Sequence, residues 1–129
     1  MLRLPSLGEM DRGVACRIYL CTQPTDMRKG FDTLAALVKD YLGRDPLSRD
    51  LFLFVGRDKD RMKILYWDAD GYALWYKRLE DGTFRLPSTK ISGSSVELKA
   101  GELAMLLEGI DLVSIKRRKR FAHPTKKEE

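Results

Sequence analysis

The sequence predicts an α+β domain, in which an antiparallel β-meander of four to five strands packs with one long and one short helix. Turn residues recur at regular spacing through the middle of the chain and separate short runs rich in Phe, Tyr and Trp. Apolar residues at helical spacing precede and follow this region. At 129 residues with 43% hydrophobic content, the chain is the size of one domain with its own core.

The first strand is predicted over residues 16–22, CRIYLCT, where apolar and aromatic side chains partly alternate until Pro24 ends the run. Cys16 and Cys21 both lie on it. Because their odd spacing on a strand points the side chains to opposite faces, we expect the two thiols to stay reduced. Reduced thiols, and a start without the apolar run of a signal peptide, predict a cytoplasmic protein.

A long helix is predicted over about residues 27–42, because apolar side chains recur there at intervals of three and four residues. The apolar stripe consists of Phe31, Leu34, Ala35, Val38, Tyr41 and Leu42. Thr25 or Asp26 is the predicted N-cap, since both side chains accept hydrogen bonds from the free N–H groups of a helix start. Gly43 is the predicted end, because glycine tolerates the left-handed backbone that often closes a helix.

Strands joined by tight turns are predicted next, because aromatic and β-branched runs alternate with charged turn sequences. The strands are placed at residues 51–56, 62–68, 72–79 and 83–87, and the turns at 57–61, 68–71 and 80–82. A polar loop is predicted over residues 88–95. A short helix follows over 101–109, where leucines have helical spacing, and then a short strand over 110–115.

The net charge of +5 is concentrated near the C-terminal end. Seven of the 24 Lys and Arg residues, opposed there by Glu128 and Glu129, follow Ser114, so the rest of the chain is neutral. We therefore predict a loose segment at 1–13, a single domain at 14–115 and a basic disordered tail at 116–129. No apolar run is long enough to cross a membrane.

Three segments resemble, in the same order, the TnpB-type accessory proteins encoded by the second open reading frame of bacterial insertion sequences of family sixty-six. They are PTDMRKGFDTLAALV, LFLFVGRDKDRMKILYWDADGYALWYKRLEDGTFRLP and ELAMLLEGIDL. The resemblance covers about residues 14–115. It implies a protein that is needed for transposition and works alongside a separate transposase, and it brings no catalytic residues. Family members usually open the last helix with Thr–Pro, whereas Lys99 and Ala100 stand here.

The start of the long helix carries the first candidate site, formed by Asp26, Arg28, Lys29 and Gly30. Cations near the positive end of a helix and a glycine in its first turns both lower helix stability. A bound phosphate would reconcile them, since free N–H groups and both cations would face one anion. In the alternative interpretation, the cations pair with carboxylates of the fold or of a partner, and the glycine makes room for a packed neighbour.

A run of cations in the tail is the second candidate site. It consists of Lys116, Arg117, Arg118, Lys119 and Arg120. Adjacent like charges favour an extended, solvated segment, and such a segment can neutralise phosphates without reading bases. This predicts DNA contact that is independent of sequence. The alternatives are a tail that only increases solubility, or one that binds an acidic protein surface.

A sheet face with cations beside Tyr66, Trp67, Trp75 and Tyr76 is the third candidate site. The cations are Arg57, Lys59, Arg61, Lys63, Lys77 and Arg78. Aromatic and cationic side chains on one face can stack bases and hold a nucleic-acid backbone. Carboxylates interleave with these cations, however, and most of the aromatic side chains are equally expected in the core.

Two pairs of carboxylates have the spacing of a metal site but lie in predicted turns, where Asp is favoured for local hydrogen bonds. They are Asp58 with Asp60, and Asp68 with Asp70. We therefore predict no metal, no cofactor and no enzyme, but an accessory factor of transposition that contacts DNA and cooperates with a transposase. The alternative is a protein–protein adaptor of the same complex that does not bind DNA. The oligomeric state is left open.

Overall fold

The computed structural model describes residues 16–86 and 93–108, which form a five-stranded sheet with one helix on each face. In chain order the elements are β1 (Ile18–Cys21), α1 (Phe31–Asp40), β2 (Leu51–Val55), β3 (Arg61–Asp68), β4 (Gly71–Arg78), β5 (Ser95–Leu98) and α2 (Ala100–Glu108). The strand order across the sheet is β4-β3-β2-β1-β5. The predicted α+β class and strand number are confirmed. Neither described helix is long and apolar enough to cross a bilayer.

The strands pair in an antiparallel manner everywhere except between β1 and β2. The predicted meander of β2, β3 and β4 is present, and its second hairpin closes with Asp68 opposite Gly71. β1 lies parallel to β2, with Ile18 opposite Leu51. The chain crosses from β1 to β2 through α1, which is the kind of connection that parallel strands need. The expectation of a purely antiparallel sheet is therefore wrong at this one pair.

The predicted strand at 83–87 is not formed in its described part, residues 83–86. The N–H of Phe84 donates to the Lys59 carbonyl at 2.7 Å, which folds this segment onto the end of the first hairpin and buries the Phe84 ring. The fifth strand is instead β5, which pairs antiparallel with β1. With four residues, β5 is too short for its alternation to stand out from the polar sequence before it.

The sheet separates two cores. The α1-side core contains Tyr19, Cys21, Met27, Leu34, Ala35, Val38, Leu42, Phe52, Phe54 and Leu65. The α2-side core contains Ile18, Leu20, Leu51, Leu53, Val55, Met62, Ile64, Tyr66, Ala73, Phe84, Leu98, Leu103 and Leu106. β2 is buried along its whole length because it is covered on both faces, which explains its continuous apolar sequence LFLFV. Cys16 and Cys21 are free and pack on opposite sides, as predicted.

The predicted helix at 27–42 is shorter than expected. α1 spans 10 residues and α2 spans 9, so one long and one short helix are not found. Gly30, and not Thr25 or Asp26, is the N-cap of α1, and its N–H donates to Thr33 Oγ1 at 3.2 Å. At its other end α1 stops at Asp40 with Tyr41 as the C-cap, two residues earlier than predicted, and Gly43, with a φ of +66°, lies just beyond.

α2 is capped without the Thr–Pro pair. The Glu102 Oε1 atom accepts a hydrogen bond from the Lys99 N–H at 2.7 Å, and the Lys99 carbonyl accepts the N–H groups of Glu102 and Leu103. A Glu that reaches back from the third helical position is half of a capping box. A side chain inside the helix therefore supplies the cap. The predicted loose segment, the strand at 110–115 and the basic tail lie outside the described residues.

Gly56, directly after β2, is expected to resist substitution because of its neighbour and not because of its backbone conformation. A Cβ built there would lie 2.9 Å from Met27 Cγ, inside the α1-side core. Gly56→Ala should lower the free energy of unfolding by about 1–3 kcal/mol, the usual cost of overpacking a core. Gly101→Ala is the matched control, since its Cβ has no neighbour within 4 Å. Urea unfolding of both variants measures this; equal midpoints would show that Met27 moves aside without cost.

Candidate anion-binding cleft

The first candidate site lies in a cleft between two loops at the carboxyl ends of β1 and β2. β1 and β2 are parallel, so their carboxyl ends lie side by side. The loop after β1 (residues 24–29) therefore lies next to the turn after β2 (residues 56–60). They enclose a cleft of about 540 Å³. Its charged lining residues are Asp26, Arg28, Lys29, Arg57, Asp58, Asp60 and Arg61. The structure therefore joins the first candidate site to part of the third.

The 24–29 loop is fixed to the sheet at several points. The Thr25 N–H donates to the Val55 carbonyl at 2.9 Å, and Met27 is buried against Gly56. Within the loop, the Lys29 N–H donates to the Asp26 carbonyl at 3.1 Å, which closes a turn that is separate from α1. These contacts explain why the helix cannot begin before Phe31, and they hold the backbone of the loop in place.

Lys63, on β3, binds this loop through a hydrogen bond to its backbone. Its side chain is 7% exposed, its Nζ atom donates to the Lys29 carbonyl at 2.7 Å, and it lies 4.8 Å from the centre of the Tyr76 ring. A carbonyl oxygen and an aromatic face are both favourable neighbours for a partly desolvated ammonium group. Lys63 was predicted as a contact residue of the sheet face; in the structure it is a buried residue that positions Lys29.

Arg28 pairs with Asp26 inside the loop. Its Nε and Nη2 atoms lie 3.1 Å and 2.7 Å from the Asp26 oxygens, and the Arg28 backbone N–H also donates to Asp26 at 2.9 Å. These bonds, the side-chain ones first, hold the pKa of Asp26 far below its ordinary value of 3.8. The pair therefore stabilises the fold above the pKa of the unfolded carboxyl group, and this contribution is lost as the pH falls through the folded pKa.

The remaining cations of the cleft differ in how they are engaged. Lys29 and Arg57 form no ion pair with any residue that the structure describes. Arg61 lies 3.9 Å from Asp60, and its pKa is raised chiefly by a hydrogen bond to Tyr76. The four cations exceed the three carboxylates by one charge. The cleft is mildly cationic, with Lys29 and Arg57 available to a ligand.

Gly30 does not have the packing role that the alternative interpretation gave it. It lies at the N-cap with φ −111°, and a Cβ built there has no neighbour within 4 Å. It therefore makes no room for a packed neighbour, and its backbone does not need glycine. The helix begins at Phe31, after Arg28, Lys29 and Gly30. The destabilising cations and glycine predicted inside the first helical turn therefore lie outside the helix.

The cations predicted for one sheet face do not share it. Arg61, Lys63 and Arg78 project to the α1 side of the hairpin, whereas Lys77 projects to the α2 side, where its Nζ atom donates to the Leu107 carbonyl at 3.4 Å. Lys59 lies in the β2–β3 turn with a φ of +62°. This face is therefore smaller than predicted and continuous with the cleft.

The other predicted candidates are placed as follows. The cations of residues 116–120 lie outside the described residues. The two carboxylate pairs lie at opposite ends of β3, because Asp58 and Asp60 precede it, whereas Asp68 and Asp70 end and follow it. Within the part of the chain that is described, no group of three or more His, Cys, Asp or Glu side chains could hold a metal ion.

Sequence reasoning did not join Arg57 to the PTDMRKG motif. The signal that could have done so is the helical segment between two apolar strands, which is typical of a parallel βαβ unit. The exposed Tyr76 ring was predicted among several aromatic residues but not singled out; it is half exposed and contacts Lys63 and Arg61.

The fold and the cleft define a small α+β protein with a mildly cationic cleft at the carboxyl ends of two parallel strands. The chain belongs to the family described as IS66 Orf2-like protein, which it matches over residues 16–117. This confirms the resemblance noted from its three motifs. It is a family of accessory proteins, and membership fits a role in insertion-sequence transposition alongside a transposase.

Two proteins of Sinorhizobium fredii are similar to this chain. The uncharacterized protein y4jC is 38% identical over 110 residues, which cover 85% of this chain and 92% of that protein. The uncharacterized protein y4hO is 38% identical over 99 residues, which cover 77% and 84% of the two chains. No solved structure matches this chain.

Proposed function

We propose that this chain is a non-catalytic accessory factor of transposition, which contacts DNA without reading its sequence and cooperates with a separate transposase in the cytoplasm. The observation that carries the proposal is the family match over residues 16–117. Free Cys16 and Cys21 are consistent with a reducing compartment. The proposal needs no cofactor and no metal.

Two cationic elements support DNA contact. The run at 116–120 belongs to the segment that holds the whole excess positive charge of the chain. Phosphate contacts by such a run release counterions, which favours binding to any sequence. The cleft adds Lys29 and Arg57, which have no carboxylate partner among the described residues. Since the 24–29 loop is already held by β2 and Lys63, little ordering free energy is lost when a phosphate binds there.

A protein–protein adaptor is the second candidate function, and a different surface favours it. A groove of about 680 Å³ runs beside the C-terminal end of α1, and its lining includes Ala35, Ala36, Pro46, Leu47 and Tyr72. Leu47 is 53% exposed there. In this alternative, the transposase places an apolar segment on the groove, and the tail binds an acidic surface of the same partner.

A pull-down with and without nuclease separates the two functions. The purified full chain is immobilised and incubated with the other proteins of its element and their DNA. For the DNA-contacting factor, we expect duplex DNA to be retained and retention of the transposase to fall after nuclease treatment. Retention that survives the nuclease, with no DNA bound, would instead identify the adaptor. A column that carries an unrelated protein of the same charge is the control for ion exchange.

A further inference from the structure

We propose that the outer edge of β4 is a self-association surface, on which two copies of this chain pair their β4 strands antiparallel about a two-fold axis at Leu74. This inference does not depend on the proposed function. In the part of the chain that the structure describes, β4 is the end strand of the sheet and has β3 as its only strand neighbour. An end strand presents a row of unpaired N–H and C=O groups.

The central part of β4 lacks the usual features that prevent edge pairing. The strand is eight residues long, contains no proline, and pairs with β3 in a register without a bulge from Gly71 to Arg78. Its central residues, Tyr72 to Tyr76, are uncharged and are aromatic or apolar. The opposite edge of the sheet differs, because β5 has four residues and carries Glu97. Short, charged edge strands resist pairing, and long apolar ones favour it.

The hairpin geometry fixes which backbone groups point outward. Asp68 and Gly71 flank a two-residue turn and form the first hydrogen-bonded pair with each other. Hydrogen-bonded and non-hydrogen-bonded pairs then alternate, so the outward groups belong to every second residue. These residues are Tyr72, Leu74, Tyr76 and Arg78. A two-fold axis at Leu74 places outward residues opposite outward residues, so their backbone groups can form hydrogen bonds across the interface.

The charge pattern of the strand identifies a second copy as the partner. Asp70 stands just before β4 and Arg78 ends it, so antiparallel pairing of two copies places each Asp70 opposite the Arg78 of the other chain. Tyr72 then lies opposite Tyr76 of the other copy, and Trp75 opposite Ala73. Aromatic and opposite-charge pairs stabilise neighbouring strands. Both end residues are exposed, and Arg78 now pairs with Glu80 across a distance of 3.1 Å.

The pairing would make one continuous sheet from two five-stranded sheets. Because the axis is perpendicular to the sheet, both copies present α1 and the cleft on the same face. The two clefts lie at opposite ends of the joined strands, since the Arg78 end of one β4 meets the Gly71 end of the other. The side chains of Arg61 and Tyr76 from both copies project from this face.

Charge reversal followed by mixing tests the pairing. Sedimentation equilibrium of the full chain should show dimers. Arg78→Glu and Asp70→Lys should each weaken self-association by about tenfold, because each variant places two like-charge pairs in the interface. An equimolar mixture of the two variants should restore it, since both pairs become complementary. No purely structural effect of either substitution would be reversed by mixing.

The other outcomes each overturn the proposal. A chain that stays monomeric, or variants that dimerise as tightly as the original chain, would show that β4 is not the interface. Weak association of both variants without recovery on mixing would exclude the antiparallel pairing of Asp70 with Arg78. Circular dichroism of each variant confirms that it is folded. Arg17 immediately precedes β1, away from the β4 edge, and is exposed. Arg17→Glu is therefore the matched control for a charge reversal at an exposed arginine.

Discussion

Replacing the cations of residues 116–120 with glutamine is expected to abolish most of the affinity of this chain for duplex DNA at moderate salt. The run contains Lys116, Arg117, Arg118, Lys119 and Arg120. Each phosphate that a cation neutralises contributes about −0.9 to the slope of log K against log salt, so five contacts give about −4.5. Between about 50 and 200 mM salt, that slope corresponds to a roughly 500-fold fall in affinity.

The slope of log K against log salt reports the number of phosphate contacts made by the tail more directly than the affinity at one salt concentration does. Fluorescence anisotropy with two duplexes of unrelated sequence should give the same steep slope for the intact chain. The glutamine variant should keep only the small slope that the cleft contributes. A variant with the same five residues in a different order is the matched control, because contact without base readout depends on charge and not on order. An unchanged slope in the glutamine variant would assign DNA binding to another surface.

Most of the fold could be predicted from the sequence because its longer elements have their own periodicity. β2, β3 and β4 each contain at least five residues with strand composition, and the stripe from Phe31 to Leu42 identifies α1. The errors lie where a tertiary contact decides. The Thr25 N–H donates to the β2 carbonyl of Val55, so no helix forms there. Phe84 packs in the α2-side core instead of forming a further strand of the meander.

The candidate site was predicted in part for the same reason. Arg28 and Lys29 were identified by their unusual place before a helix, which is a local property. Their closeness to Arg57 depends on the parallel pairing of β1 with β2, which no local pattern of either strand encodes. The burial of Lys63 likewise follows from the position of the Lys29 carbonyl above it. The periodicity within one strand carries no information on either contact, and only the order strand, helix, strand indicates that β1 and β2 are parallel.

Substituting glutamine for both Arg28 and Lys29 is expected to reduce transposition at least tenfold while the fold is kept. The Arg28 side chain is 91% exposed and bonds only to Asp26 among the described residues. Lys29 contributes its carbonyl to Lys63, and glutamine preserves that carbonyl. Exposed ion pairs contribute little to stability. The melting temperature should therefore change by no more than about 4 °C.

Function should respond differently, because these two side chains are half of the cations in the cleft. Without them, Asp26, Asp58 and Asp60 outnumber Arg57 and Arg61, so the excess charge of the cleft changes from positive to negative. A phosphate, or a carboxylate of a partner, would then be repelled at the site where we propose that it binds. The transposition frequency of a marked element, complemented in trans by each variant, measures the loss.

A control with equal charge distinguishes the cleft from the net charge of the protein. Arg17→Gln with Arg49→Gln also removes two exposed cations, one paired with Glu97 at 3.8 Å and one in the loop before β2, and both lie outside the cleft and the α1 groove. This control should transpose normally. If both double variants lose activity equally, total charge and not the cleft is responsible. If the Arg28 and Lys29 variant unfolds, the loop is an internal structural element, and the bond between Asp26 and Arg28 matters for folding and not for a ligand.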